Sequence, residues 1–206
     1  MRILITAGGT REYIDPVRFI SNASSGKMGY ALARAALNAG HKVTLITAPT
    51  NLRSPEKAKT INAETAAEMF AAVKKNFDKC DCLIMAAAVS DYTPAKTSKT
   101  KLKKTDENTT ITLKPTKDIL AWAGRNKKGK LIVGFALEDK NLRTNAEKKL
   151  KEKNLDMIVA NTPAAINAER STVEIKIPNS DWLKLSRVAK TTIARRIIKL
   201  VDVART

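Results

Sequence analysis

The fold is decided by Met1-Arg2-Ile3-Leu4-Ile5-Thr6-Ala7-Gly8-Gly9-Thr10 and its sequel Ser21-Asn22-Ala23-Ser24-Ser25-Gly26-Lys27-Met28-Gly29. Met1 to Ala7 reads as a short, fully buried strand, and Tyr30 to Asn38, rich in Ala and Leu, reads as a helix packed on a sheet. A strand, a glycine loop and a helix start make a place where backbone N–H groups and the helix dipole receive an anion. Here the loop is enlarged and carries Arg11, Arg18, Asn22, Ser24, Ser25 and Lys27. That is more converging polar chemistry than a plain connector needs.

Outward from this loop, Asn38-Ala39-Gly40 stops the helix and Lys42 to Thr47 supplies a second strand, completing a βαβ unit with a right-handed, parallel crossover. Ala58 to Ile61 predicts a short strand, Glu64 to Phe77 a helix and Cys82 to Ala86 a further buried strand. From Pro94 to Asp106 no apolar period survives, and Lys96, Lys99, Lys101, Lys103 and Lys104 crowd together. Thr109 to Leu113 alternates like a half-exposed strand. Lys117 to Arg125 predicts a helix, Lys130 to Ala136 a strand, Leu142 to Lys153 a charged amphipathic helix and Met157 to Ala160 a strand. Val173 to Ile177 and Trp182 to Leu185 predict a hairpin turning at Pro178-Asn179, followed by a last helix from Lys190 to Val203. The fold class is therefore α/β: one domain over 1–206, a doubly wound, Rossmann-like, mostly parallel sheet with a strand-rich excursion between about 90 and 115.

The 206 residues suffice for one sizeable core, and 43% hydrophobic content excludes a disordered chain. No apolar run approaches the roughly 20 residues of a membrane span, and Ile3-Leu4-Ile5 is too short for a signal peptide. Cys80 and Cys82 have only one histidine in the chain, His41, for company, which argues against zinc and for reduced thiols in a cytoplasm. A formal charge of +18 raises nucleic acid as a partner. The lysines are dispersed, however, and several sit on helix faces beside acids, as Glu147 does with Lys151. No aromatic residue lies in the densest lysine run, so nucleic-acid binding stays a minor reading.

A dinucleotide fingerprint fails on inspection. Gly8 and Gly9 are adjacent, the next glycine is Gly26, and the second strand ends in Thr47-Ala48-Pro49 without the acid that would hold ribose hydroxyls. Nor is there a P-loop, since Gly26-Lys27 is followed by Met28. What remains is an anion site beside the first strand. Three further patches leave the carboxyl ends of predicted strands or flank them: Ala86-Ala87-Ala88-Val89-Ser90-Asp91-Tyr92, Lys101-Leu102-Lys103-Lys104, and Gly134-Phe135-Ala136-Leu137-Glu138. The small residues of the first let a planar ring approach the backbone, and Asp91 can accept from an amine or hydroxyl.

Taken in order, Thr6-Ala7-Gly8-Gly9-Thr10-Arg11-Glu12, Asp15-Pro16-Val17-Arg18, Ile20-Ser21-Asn22 and Ser24-Ser25-Gly26-Lys27-Met28-Gly29 closely resemble the phosphopantothenoylcysteine synthetase family. This family is the ligase half of the bacterial bifunctional coenzyme A biosynthesis protein. Ala87 to Tyr92, the K-x-K-K pattern at Lys101 to Lys104, Gly134 to Glu138 and Lys153-Asn154-Leu155-Asp156 continue the likeness, which weakens after about residue 165. Because it begins at Met1, the chain resembles the free-standing form, with the flavin-dependent decarboxylase half expected on another chain.

The resemblance implies a reaction in which 4′-phosphopantothenate, L-cysteine and CTP with Mg2+ give 4′-phosphopantothenoyl-cysteine, CMP and diphosphate; eukaryotic relatives prefer ATP. It implies catalytic roles for Asn22, which holds the acyl-nucleotide, and Lys101, near the triphosphate. Nucleotide binding falls to Met85, Ala86, Ala87, Asp91, Lys101, Lys117, Asp118, Ile119, Leu120, Phe135, Lys149 and Lys153. At Thr116-Lys117 the chain departs from an Asn-Pro common in the family. Substrate and phosphate binding falls to Gly8, Gly9, Arg18, Asn22, Ser24, Ser25, Gly26 and Lys27, and Mg2+ is carried by the triphosphate rather than by protein side chains. A homodimer is implied, with the excursion helping to build a shared site. Bland readings stand beside each role: Asn22 or Asp91 as turn caps, Lys101, Lys149 and Lys153 as solvated cations, Phe135 as core. A short-chain or nucleotide-sugar NAD(P) oxidoreductase is the alternative, disfavoured by the missing acid after the second strand and the absence of a Tyr-x-x-x-Lys pair. His41, Trp122 and Trp182 are read as structural.

Overall fold

Successive side chains of a strand point to opposite faces, so the unbroken run Ile3-Leu4-Ile5 demands cover on both sides. A computed structural model, which describes residues 1–166 and 168–205, supplies it. The chain runs through β1 (Arg2–Ala7), β2 (Arg11–Tyr13), β3 (Phe19–Ser21), α1 (Lys27–Asn38), β4 (Lys42–Thr47), β5 (Lys59–Asn62), α2 (Ala66–Phe77) and β6 (Cys82–Met85). It continues through β7 (Tyr92–Pro94), β8 (Leu113–Pro115), α3 (Ile119–Arg125), β9 (Leu131–Leu137), α4 (Leu142–Glu152), β10 (Met157–Asn161), β11 (Arg170–Lys176), β12 (Leu183–Ala189) and α5 (Lys190–Arg205). Ile3, Ile5 and Ala7 face a core shared with α1 and α5, whereas Leu4 faces one shared with α2, α3 and α4.

The main sheet has eight strands in the order β12-β11-β10-β9-β6-β1-β4-β5. β5, β4, β1, β6, β9 and β10 are mutually parallel, and β11 and β12 join antiparallel at one edge. Numbered among themselves along the chain, the parallel strands lie 3-2-1-4-5-6, the doubly wound order whose direction reverses between β1 and β6. Ligands of such sheets bind at the carboxyl ends of the two strands flanking that reversal.

Local departures from the expected boundaries have physical causes. α1 begins at Lys27, ahead of Tyr30, because Gly26 takes a left-handed φ of 75° and turns the chain directly into the helix. Gly29 then lies inside the first turn against β1, where a Cβ would sit 2.5 Å from that of Ala7. The enlarged loop contains the β2–β3 hairpin, fastened by Tyr13 donating to Glu64 at 2.5 Å and by Arg11 over the Phe19 ring at 4.6 Å. The strand expected at Thr109 to Leu113 is displaced to Leu113–Pro115, since its partner β7 pairs only from Tyr92 to Pro94. β11 and β12 outrun the expected hairpin: β11 alternates throughout, but with the polar Ser171 at a buried position, and the extra residue of a bulge falls in β12, where Arg187 takes a φ of 51° and the alternation is lost. Glu147 accepts from Trp182 Nε1 at 2.9 Å and lies 4.0 Å from Lys176 Nζ, so its partners are on other elements rather than at Lys151 of its own helix face. Among the described residues no helix is long and apolar enough to cross a membrane.

Candidate active site

The site grows from two buried threonines. Thr6, on β1, accepts through Oγ1 from Ala87 N at 3.1 Å, and Thr10 accepts likewise from Ser90 N at 2.9 Å. Ala88 N donates to Gly8 O at 2.9 Å and Thr10 N to Ala88 O at 3.3 Å. The loop leaving β6 is thereby stitched to the loop leaving β1 at the reversal of the sheet. Asn22 projects from beyond β3 and donates through Nδ2 to Ala88 O and Val89 O, at 3.3 and 3.2 Å. A cavity of about 810 Å³ opens in front of this seam.

Cations ring the cavity. On one side Lys149 donates to Phe135 O at 2.8 Å. Burial, and after it the charge of Lys153, pushes the Lys149 pKa down. Lys153 pairs with Asp118 at 2.8 Å. Asp118 also caps α3 by accepting from Ala121 N. Burial alone would raise the Asp118 pKa, but the Ala121 N–H and then Lys153 outweigh it and hold the carboxyl below its usual range. On the other side Lys27 pairs with Glu169 at 3.0 Å, and Lys190 donates to Ala165 O at 3.0 Å and Ser171 Oγ at 3.2 Å. The wall contains neither His nor Cys. Cys80 and Cys82 lie buried elsewhere, and burial drives both thiols up, Cys80 to about 11, so neither offers a thiolate at neutral pH.

Of the residues expected to hold the nucleotide, all except Lys101 stand in this wall, and of the phosphate set Asn22, Ser24, Ser25, Gly26 and Lys27 do too. Gly8, Gly9, Arg18 and Lys101 do not. Gly8 has a φ of 81° and packs on Ala48, where a Cβ would be 3.1 Å from that of Ala48. Gly9 lies so near the Asn22 carbonyl that a Cβ would meet it at 2.7 Å. Both glycines shape the loop from behind. Arg18 is turned to the wholly buried Asp15, with which it forms a very short ion pair, and to Leu102 O at 2.6 Å. Asp15 also accepts from Leu102 N at 3.1 Å. The Arg18 guanidinium and the backbone N–H donors hold the Asp15 carboxyl far below its usual range. The lysine run is therefore clamped to the tip of the β2–β3 hairpin, with Lys101 exposed beside it. Lys190, Ser171 and Asn161 line the cavity without having been singled out in the sequence. They come from the stretch around and after residue 165, where no motif marks them.

The family model described as the DNA/pantothenate metabolism flavoprotein C-terminal domain matches residues 1–204. The coenzyme A biosynthesis bifunctional protein CoaBC of Bacillus subtilis is 43% identical over 202 residues, 96% of this chain and 50% of that protein. A cysteine/cysteine sulfinic acid decarboxylase of an unknown prokaryotic organism is 47% identical over 210 residues, 97% of this chain and 58% of that one. The chain thus spans half to somewhat more than half the length of these curated relatives. The crystal structure of the C-terminal domain of a coenzyme A biosynthesis bifunctional protein CoaBC superposes with a TM-score of 0.86 at 40% identity, covering 98% of this chain and 94% of that one.

Proposed function

The chain belongs to the DNA/pantothenate metabolism flavoprotein C-terminal domain family, and on that premise we propose that it is a phosphopantothenate–cysteine ligase of coenzyme A biosynthesis using CTP and Mg2+. In this reading the carboxylate of 4′-phosphopantothenate attacks the α-phosphorus of CTP, the bond to the β-phosphate breaks and diphosphate leaves. The amine of L-cysteine then attacks the acyl-cytidylate carbonyl, CMP departs with the bonding pair, and the amine proton passes to solvent or phosphate. Charge builds on phosphoryl and acyl oxygens at both steps, so donors and cations serve better than a nucleophile. A wall with several lysines and no His or Cys suits that demand. Mg2+ comes with the triphosphate, whose oxygens are the hard ligands it prefers.

The observation that carries the reading is the Asn22 amide, held by the carbonyls of Ala88 and Val89 at the reversal of the sheet. A ligand entering between the loops can take over those hydrogen bonds, turning Asn22 toward an acyl or phosphoryl oxygen. Lys149, Lys153 and Lys117 neutralise the nucleotide, and Asp91 and the small residues before it receive the base. A homodimer is part of the proposal. Val17 (58% exposed) and Phe19 on the hairpin, Tyr92 (56%) and Leu113 on β7 and β8, and Leu102 between them leave an apolar surface beside the lysine run. A second copy covering it would set Lys101 at a neighbouring cavity. The test is diphosphate release with each substrate omitted in turn, CTP against ATP. Release requiring phosphopantothenate and favouring CTP is expected, with acyl-cytidylate accumulating in Asn22→Asp. A folded protein that releases nothing with either nucleotide sinks the proposal.

A further inference from the structure

Lys190 sits where an ammonium is disfavoured. It is half-buried in the cavity wall, and its bonding partners, Ala165 O and Ser171 Oγ, are neutral. The nearest acid that acts on it, Glu169, is already paired with Lys27 and is 89% exposed, so solvent screens it. Lys190 is also the first residue of α5 and Lys27 the first of α1, and neither helix has an acid in its first turn. Each cation therefore stands at the positive end of a helix dipole, the wrong sign for stability. Lys27 and Lys190 line the same cavity, and burial, then the charge of Lys27, pushes the Lys190 pKa down. Buried charges are ordinarily paired, and a protein keeps such an unfavourable arrangement at a place where a ligand relieves it. Ser171, itself buried, and the Ala165 carbonyl fix the ammonium in place rather than neutralise it.

We propose that Lys27 and Lys190 together form a receptor for a phosphoryl group of a substrate, across the cavity from Lys149 and Lys153. This deepens the ligase reading and rests on it for the two candidate sources: the triphosphate tail of the nucleotide and the phosphate of 4′-phosphopantothenate. Lys190 is then a binding residue that touches the ligand directly.

The test compares wild type, Lys190→Met, Lys190→Gln and Lys190→Arg by calorimetric titration with CTP and, separately, with 4′-phosphopantothenate. Loss of one charge-assisted contact to phosphate is expected to weaken binding of the ligand seated there about tenfold or more, with Lys190→Arg restoring most of it. Which of the two ligands weakens identifies the source. The melting temperature without ligand is expected to hold or rise in Lys190→Met, because an unfavourable charge has gone. Weakened binding is then not a folding defect, and Lys190→Gln substitutes if Lys190→Met does not fold. Unchanged affinity for both ligands in a folded variant overturns the proposal. If the wild type binds neither ligand, the ligase reading fails instead. The pair is then judged with inorganic diphosphate: weaker binding by Lys190→Met upholds it, and equal binding overturns it.

Discussion

Lys149 stands on α4 with its ammonium against the Phe135 carbonyl, and burial followed by Lys153 holds its pKa below the ordinary 10.5. The unfolded chain keeps the proton up to that ordinary value while the folded chain releases it earlier. Between the two, the unfolded state binds more protons and stability rises with pH. Below the folded-state value both states are charged and the fold carries the full penalty. Lys149→Gln is therefore expected to match or exceed wild type in melting temperature at pH 7, with the wild type gaining on it as the pH climbs toward 10.5. The same substitution is expected to raise the nucleotide KM about tenfold, the equivalent of ~1.4 kcal/mol for a lost charged contact. A pH-independent difference in melting temperature would show that the Lys149 charge is not strained, and an unchanged KM would remove it from the nucleotide site.

At the level of elements, α1 is positioned by the absence of a side chain. A Cβ on Gly29 would meet Ala7 Cβ at 2.5 Å and Thr6 O at 2.9 Å, both fixed parts of β1. A Cβ on Gly134 would meet Leu155 Cδ1 at 2.7 Å and Leu120 Cδ2 at 3.0 Å, the movable ends of side chains. Alanine gains up to ~1 kcal/mol over glycine inside a helix, but forcing a helix off a strand costs about 1–3 kcal/mol or more. Gly29→Ala is expected to lower the melting temperature by about 2–4 °C per kcal/mol lost and to weaken phosphate binding, because it tilts the start of α1. Gly134→Ala is expected to cost distinctly less, with calorimetry deciding between them. Equal losses would mean that α1 has room to shift. These contacts also mark what was legible in the chain. Runs such as Ile3-Leu4-Ile5 and Cys82-Leu83-Ile84 are long enough to announce buried strands, and glycines punctuate them. Three-residue strands such as β2, β3 and β7 are too short to display a repeating pattern. Their pairing depends on tertiary anchors, Tyr13 to Glu64 and Thr97 Oγ1 to Tyr13 O, that no local pattern encodes. Asn22, Lys149 and Lys153 of the cavity wall were visible because motifs surround them. Lys190 was not, because only the packing of α5 beside α1 brings it to the cavity.

On the scale of the whole molecule, the proposed role of Lys101 ties catalysis to the proposed dimer. The clamp of Asp15 and Arg18 on Leu102 fixes the lysine run at the hairpin tip, outside the wall of the cavity in its own subunit. Val17, Phe19, Leu102 and Leu113 stay exposed on the hairpin and the excursion, and in the proposed dimer a two-fold interface covers them and each Lys101 serves the partner's cavity. The arrangement has a discriminating consequence. Asn22→Asp and Lys101→Ala homodimers should each be deficient in overall ligation. Let the two be unfolded together and refolded, or co-expressed, so that mixed dimers form. If Asn22 of one subunit works with the lysine of the other, one cavity of each mixed dimer unites an intact Asn22 with an intact Lys101. About half the sites in that species then recover. If the two residues act within one chain, every cavity of the mixed dimer lacks one of them, and mixing restores nothing. Recovery of product formation, scaled to the mixed-dimer fraction measured by native mass spectrometry, is the expected result. Leu113→Glu adds the second arm. A charge at this exposed apolar position should yield monomers by sedimentation that retain the cavity and bind nucleotide but do not complete the reaction. A fully active monomer would show that the lysine run reaches its own cavity by bending free of the Asp15 clamp.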